Sequence, residues 1–110
     1  MAFYLFQGSY TPAALKAMVD NPQDREALAR PLIEAVGGKL HHMFFSLGKY
    51  DMVALIEAPD DAAMSAGAMV VGASGSMSSG KTTKLLTSAE GMAAMAAAGK
   101  AAASYTPATG

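Results

Sequence analysis

Hydrophobic positions fall in blocks along this chain, and two blocks define its centre. The apolar runs Leu40–Leu47 and Met52–Ala58 flank a short polar break at Gly48–Asp51. Neighbouring antiparallel strands joined by a tight turn read this way. Neither run alternates cleanly between apolar and polar, which predicts strands covered on both faces. Ala2–Ser9 is aromatic-rich and uncharged, and it reads as a further strand buried on both sides.

Helical spacing fills the intervals. Thr11 is placed to cap a helix with Pro12 in its first turn, and Leu15, Met18 and Val19 share one face. Asn21-Pro22 stops or kinks that helix, which restarts with Pro22 in the new first turn. Leu28, Leu32 and Val36 continue it, Pro31 bends it, and Gly37-Gly38 ends it. Pro59-Asp60-Asp61 opens the next helix with an aspartate cap. Ala62–Val71 is apolar nearly all round, as in a helix buried on several sides. Gly72–Gly80 reads as a flexible connector and Lys81–Thr87 as a short last strand. Thr87 to Glu90 has capping-box spacing ahead of a weak helix carrying Met92 and Met95, with a loose alanine-rich tail from Gly99 onward.

The order is strand, helix, strand, strand, helix, strand, and a terminal helix. Two βαβ units joined by a hairpin make a ferredoxin-like α+β sandwich, βαββαβ, with a four-stranded antiparallel sheet and helices on one face. The domain is expected over residues 1–90, with a C-terminal helix and tail over 91–110. The other sheet face would carry Phe, Tyr, Leu and Met, too apolar to leave in water. Two such faces packed together solve that problem, so a homodimer is expected, a dimeric α–β barrel.

Composition narrows the chemistry. With 110 residues and 52% hydrophobic content the chain can build a real core. A net charge of −1 leaves no basic stripe for phosphates, so nucleic acid is not an expected partner. The chain has no cysteine, which excludes disulfides, thiolate catalysis and cysteine metal sites. No metal or cofactor is expected. The N-terminus lacks the pattern of a signal peptide and no apolar run is long enough to span a membrane, so the expected compartment is the cytoplasm. Nine methionines suit adaptable packing, most often core filling, otherwise a ligand cavity or a subunit contact.

Leu47-Gly48-Lys49-Tyr50-Asp51, the strand after it, and Glu57-Ala58-Pro59-Asp60-Asp61 resemble the GYD domain family. That family is named for the glycine, tyrosine and aspartate at the hairpin turn, here Gly48, Tyr50 and Asp51. Gly37-Gly38-Lys39, Lys81-Thr82-Thr83 and Leu85 also fit. The resemblance runs over roughly residues 2–90, and Gly80, Pro31 and the alanine-rich tail depart from the pattern. It implies a dimeric α–β barrel of ferredoxin-like subunits and no particular reaction. Similar barrels include cofactor-free monooxygenases, small isomerases, haem-handling proteins and effector-binding regulator domains, so fold does not fix function.

Gly75–Thr82 matches the P-loop expression G-x-x-x-x-G-K-S/T. A P-loop leaves a strand and opens a helix. This segment follows a helix and enters a strand, so the match is accidental. His41 and His42 are neighbours on a strand and should point to opposite faces, one of them into an intersubunit cavity as a ligand contact or proton shuttle. Tyr50 and Asp51 fit two roles, turn chemistry or a phenol and carboxylate acting as donor and base at a cavity mouth. The candidate catalytic residues are His42, Tyr50 and Asp51. His41 and Lys84 join them as candidate ligand contacts, although Lys84 also reads as a solvated edge lysine. Glu57 reads as a strand-end charge or a lysine's partner, and Tyr4, Gln7 and Tyr10 could line a pocket, although aromatic core residues are the default.

Two functions follow. One is a homodimeric barrel that binds an apolar small molecule in a cavity on the sheet face, or acts on it as a small cofactor-free enzyme. The other is a non-catalytic oligomerisation or interaction module.

Overall fold

β1 (Ala2–Tyr10), β2 (Lys39–Phe45), β3 (Met52–Ala58) and β4 (Met77–Leu85) form one antiparallel sheet in the order β2-β3-β1-β4. A computed structural model of the chain gives this arrangement and describes residues 1–109. Helices α1 (Pro12–Asp20) and α2 (Arg25–Ala35) connect β1 to β2, and α3 (Asp61–Ala73) connects β3 to β4. Helix α4 (Ser88–Ala101) and a 3-10 turn, Ala102–Ser104, follow. This is the expected ferredoxin-like α+β order with an added C-terminal helix.

Local chemistry sets most boundaries. Thr11 accepts the Ala14 N–H and Pro12 begins α1, as the sequence predicts. The restart differs. Asp24, not Pro22, begins α2, because its carboxylate accepts the Ala27 N–H at 3.1 Å, whereas Pro22 only lacks a donor. Pro31 lies inside α2. The helix closes on Gly37 at φ 84°, where the Gly37 N–H donates to Glu34 and the Gly38 N–H to Ile33. Asp60 caps α3 through the Ala63 N–H at 2.8 Å.

Three expectations are corrected. β2 ends at Phe45, not Leu47, because the Ser46 N–H turns to the Asp51 carbonyl and Leu47 is fully exposed. Met77–Gly80 is not connector but the first part of β4. There Gly80 pairs with Gly8 of β1, and a Cβ at Gly80 would stand 3.3 Å from the Phe6 ring. These glycines make room for an aromatic ring between two strands, so they do not mark a linker. The alanine-rich stretch is not a loose tail from Gly99. Thr87 and Glu90 form the capping box, and alanine's high propensity carries the helix to Ala101. The last residue of that expected tail, Gly110, lies outside the described residues.

The core lies on the helix side of the sheet. Tyr4, Tyr10, Leu40, Met52, Ala54, Ile56 and Ala58 are buried there with Ile33 of α2 and Met64 of α3. Each large apolar chain so buried contributes about 1.5–3 kcal/mol. Burial alternates strictly along β3 although polarity does not, since Val53 and Leu55 point away from the helices. Tyr4, Tyr10 and the core methionines therefore face the helices, not the open sheet face where tyrosine and methionine are expected. α4 buries no residue, and the molecule extends 59 Å along its longest axis.

Candidate functional site

The two sheet faces are finished differently. On the open face the ladder registers align Phe3, Leu5 and Gln7 of β1 with Glu57, Leu55 and Val53 of β3, and Leu85 of β4 pairs with Phe3. Among the described residues no helix covers this face. Phe44 of β2, which pairs with Val53, is 61% exposed.

Both histidines lie on this face. Leu40 pairs with Ile56 and His42 with Leu55, so His41 is the extra residue of a β-bulge. The bulge cancels the usual alternation. His41 Nε2 sits 2.9 Å from Glu57 Oε1, and its ring lies 5.5 Å from that of Phe3. His42 stacks on Phe44, with centroids 5.9 Å apart. The expectation of opposite faces is thus corrected: an even ladder would separate them, but this one slips by a residue. On the helix side of the same strand Arg30 Nη1 of α2 donates to the Leu40 carbonyl at 2.7 Å, beside the bulge.

Tyr50 and Asp51 sit elsewhere, at the hairpin turn, roughly 13 Å along the strands from the histidines at about 3.3 Å per residue. Gly48 takes φ 129°, which favours glycine. Asp51 works as a structural clasp. Its Oδ2 accepts the Tyr10 N–H at 2.9 Å and its own N–H donates to the Gly8 carbonyl at 2.9 Å, so the turn is pinned to the end of β1. Ser46 Oγ donates to the Tyr50 carbonyl at 2.7 Å, and Lys49 Nζ lies 5.7 Å from the centre of the Tyr50 ring.

Lys84 lies on the helix side. Its Nζ is 2.9 Å from Asp61 Oδ1, the oxygen that also accepts the Tyr4 hydroxyl. The Tyr4 bond and the lysine hold the Asp61 carboxyl below its ordinary pKa, while the same bond raises the Tyr4 phenol. The structure therefore brings His41, His42 and Glu57 together, and separately Lys84, Asp61 and Tyr4. Neither group meets Tyr50 and Asp51. Among the described residues no group of three His, Asp or Glu side chains is placed to hold a metal ion, and no helix is long and apolar enough to cross a membrane. Gly75–Thr82 runs into β4 and opens no helix, so it lacks the geometry that holds phosphate.

A half-open pocket of about 240 Å³ lies between the sheet and helices α2 and α3, with exposed Leu28 and Val70 among its lining residues. Met43, Met52, Met64 and Met77 are among its walls, with Tyr10 and Arg25. Tyr10 belongs to the core, as its default reading has it, but its hydroxyl is buried with no hydrogen-bond partner. No motif marks this pair; the only signals are the methionine content and an arginine at the first position of a helix that covers the sheet.

A search of curated proteins gives no match. The fold is similar to that of FFRP-DM1 in its crystal structure, with a TM-score of 0.56 and 10% identity over 78% of this chain and 100% of that one. It is also similar to MtbAldR, with a TM-score of 0.54 and 14% identity over 78% of this chain. This chain spans about half of the MtbAldR chain, 52%. Likeness at such identities shows the fold alone. The GYD domain model matches residues 4–104, through β4 and α4, and on that match the chain belongs to the GYD domain family.

Proposed function

We propose that this protein is a homodimeric small-molecule-binding α–β barrel, with two sheets packed face to face and a ligand chamber within each subunit. The observation that carries the reading is the unequal treatment of the sheet's two faces. Among the described residues one face has no helix against it and carries an apolar strip of Phe3, Leu5, Val53, Leu55 and Phe44 among polar Gln7, His42, Glu57 and Lys81; the other is covered by helices that leave a 240 Å³ pocket. An uncovered apolar strip favours association with its own copy, and a pocket walled by apolar chains with few polar groups suits a small organic molecule. This reading puts the ligand on the helix side of each subunit, whereas the sequence leads to the expectation of a cavity between the sheets. Native mass spectrometry of protein purified from its own cells tests the reading. A mass of two chains with retained small-molecule adducts is expected, and a bare single-chain mass contradicts it.

α4 favours a second reading, an oligomerisation or interaction module. It buries no residue, and Met92 and Met95 are 68% and 74% exposed. Assemblies larger than a dimer that disappear when the chain ends at Thr87 would support that reading.

A further inference from the structure

The pocket under α2 and α3 is walled in part by a tyrosine whose buried hydroxyl lacks a partner and by one cation. Tyr10 is 5% exposed, and its Oη has no hydrogen-bond partner. A buried hydroxyl left this way gives up its hydration without return, and such groups in native proteins point to a missing partner. Arg25 lines the same cavity. Its Nη1 donates to Gln23 Oε1 at 2.7 Å. The guanidinium lies near enough to act on the phenol oxygen as a charge and a donor, which offsets part of the upward pKa push that burial gives Tyr10, while the phenol's own O–H meets no acceptor. Asp51, the nearby acid, is held at the Tyr10 backbone N–H and does not line the cavity. Among the described lining residues no other side chain is charged, and beyond Tyr10 and Arg25 only Ser74 and Ser76 carry polar side chains.

One fixed cation, one free O–H donor and otherwise apolar walls define a ligand: a hydrocarbon body ending in a carboxylate. Guanidinium matches a carboxylate with two parallel N–H donors, and the phenol supplies a third. The methionine walls adapt to an irregular body. A void of about 150 Å³ holds a benzene-sized molecule, so 240 Å³ has room for about ten non-hydrogen atoms. Resting on the small-molecule reading above, we propose that this cavity binds a small apolar monocarboxylate, held at its charged end by Arg25 and the Tyr10 hydroxyl.

Calorimetric titration of the full chain with octanoate, and with octanol as its uncharged counterpart, tests this. Octanoate is expected to bind. Arg25→Gln should weaken it by about tenfold and Tyr10→Phe by about fivefold, with octanol, whose hydroxyl accepts without a charge, weakened less by either change. Arg25→Lys, which keeps the charge and loses the fork, should fall between Arg25→Gln and the unaltered protein. Thermal melting of each variant confirms that it is folded. Octanoate bound equally by the unaltered protein and Arg25→Gln, with octanol still bound, overturns the carboxylate assignment and leaves small-molecule binding standing. No binding of either compound at millimolar concentration overturns both.

Discussion

His41 Nε2 lies 2.9 Å from Glu57 Oε1 on the open face, a contact that exists only because β2 carries one residue more than β3 at this point. Both side chains are about three-quarters buried within the subunit, so the pair is shielded from water more than an ordinary surface contact. His41→Ala is expected to lower stability by about 1 kcal/mol in urea denaturation. Glu57→Gln, which keeps an acceptor oxygen, should cost less. Equal losses from the two variants would show that the contact contributes nothing specific.

Tyr10→Phe should have the opposite sign. The hydroxyl is buried without a partner, so removing it relieves an unmet desolvation penalty and should stabilise the unliganded protein by up to about 1 kcal/mol. The same change weakens carboxylate binding. A stabilised protein with impaired binding is the pattern of a group kept for function at the expense of the fold. Loss of stability on this substitution would instead mean that the hydroxyl is satisfied in solution.

Gly38→Ala tests the join between α2 and β2. A Cβ there would stand 2.5 Å from the Glu57 carbonyl oxygen and 3.2 Å from Ile33 Cγ2. Backbone cannot give way as a flexible side chain can, so the expected loss is about 2 kcal/mol, read as a fall in the denaturation midpoint. Gly72→Ala, inside α3 with open space around the same atom, should be neutral or stabilising by up to about 1 kcal/mol and is the control.

Asp61 sets part of the acid response. Its pKa is held down by the Tyr4 hydroxyl and by Lys84. A carboxyl whose folded pKa lies below its unfolded one contributes stability above the unfolded value, and loses it as pH falls through the folded value. Melting temperature should therefore fall from about pH 5 downward, and Asp61→Asn should flatten that fall. The Asp61 side chain is 67% exposed, so the contribution is small and weakens with salt. Identical pH slopes for the two proteins would remove Asp61 from the acid response.

What the sequence conveyed and what it hid divide by range. Thr11, Asp60 and Thr87 announce helix starts because capping is settled within four residues, and Gly48 with Asp51 announces the hairpin turn for the same reason. The start of β4 was hidden because Gly80 looks like a linker until Gly8 and the Phe6 ring are set against it. The shared direction of His41 and His42 was hidden because a bulge is a property of two strands, and periodicity along one strand cannot register it. Tyr10 and Arg25 meet only because α2 folds back over the sheet, a relationship that no local spacing encodes. Lys84 looked like an edge lysine, and it is half-exposed at an edge strand, but its partner Asp61 comes from the start of α3.

The open face is where the central idea is most exposed to test. Light scattering on the purified protein, over a dilution series and beside a Leu55→Lys variant, measures it directly. Face-to-face packing predicts twice the 11.2 kDa chain mass for the unaltered protein and one chain mass for the variant, with the variant still folded. An unaltered protein that scatters as a single 11.2 kDa chain at every concentration would contradict it.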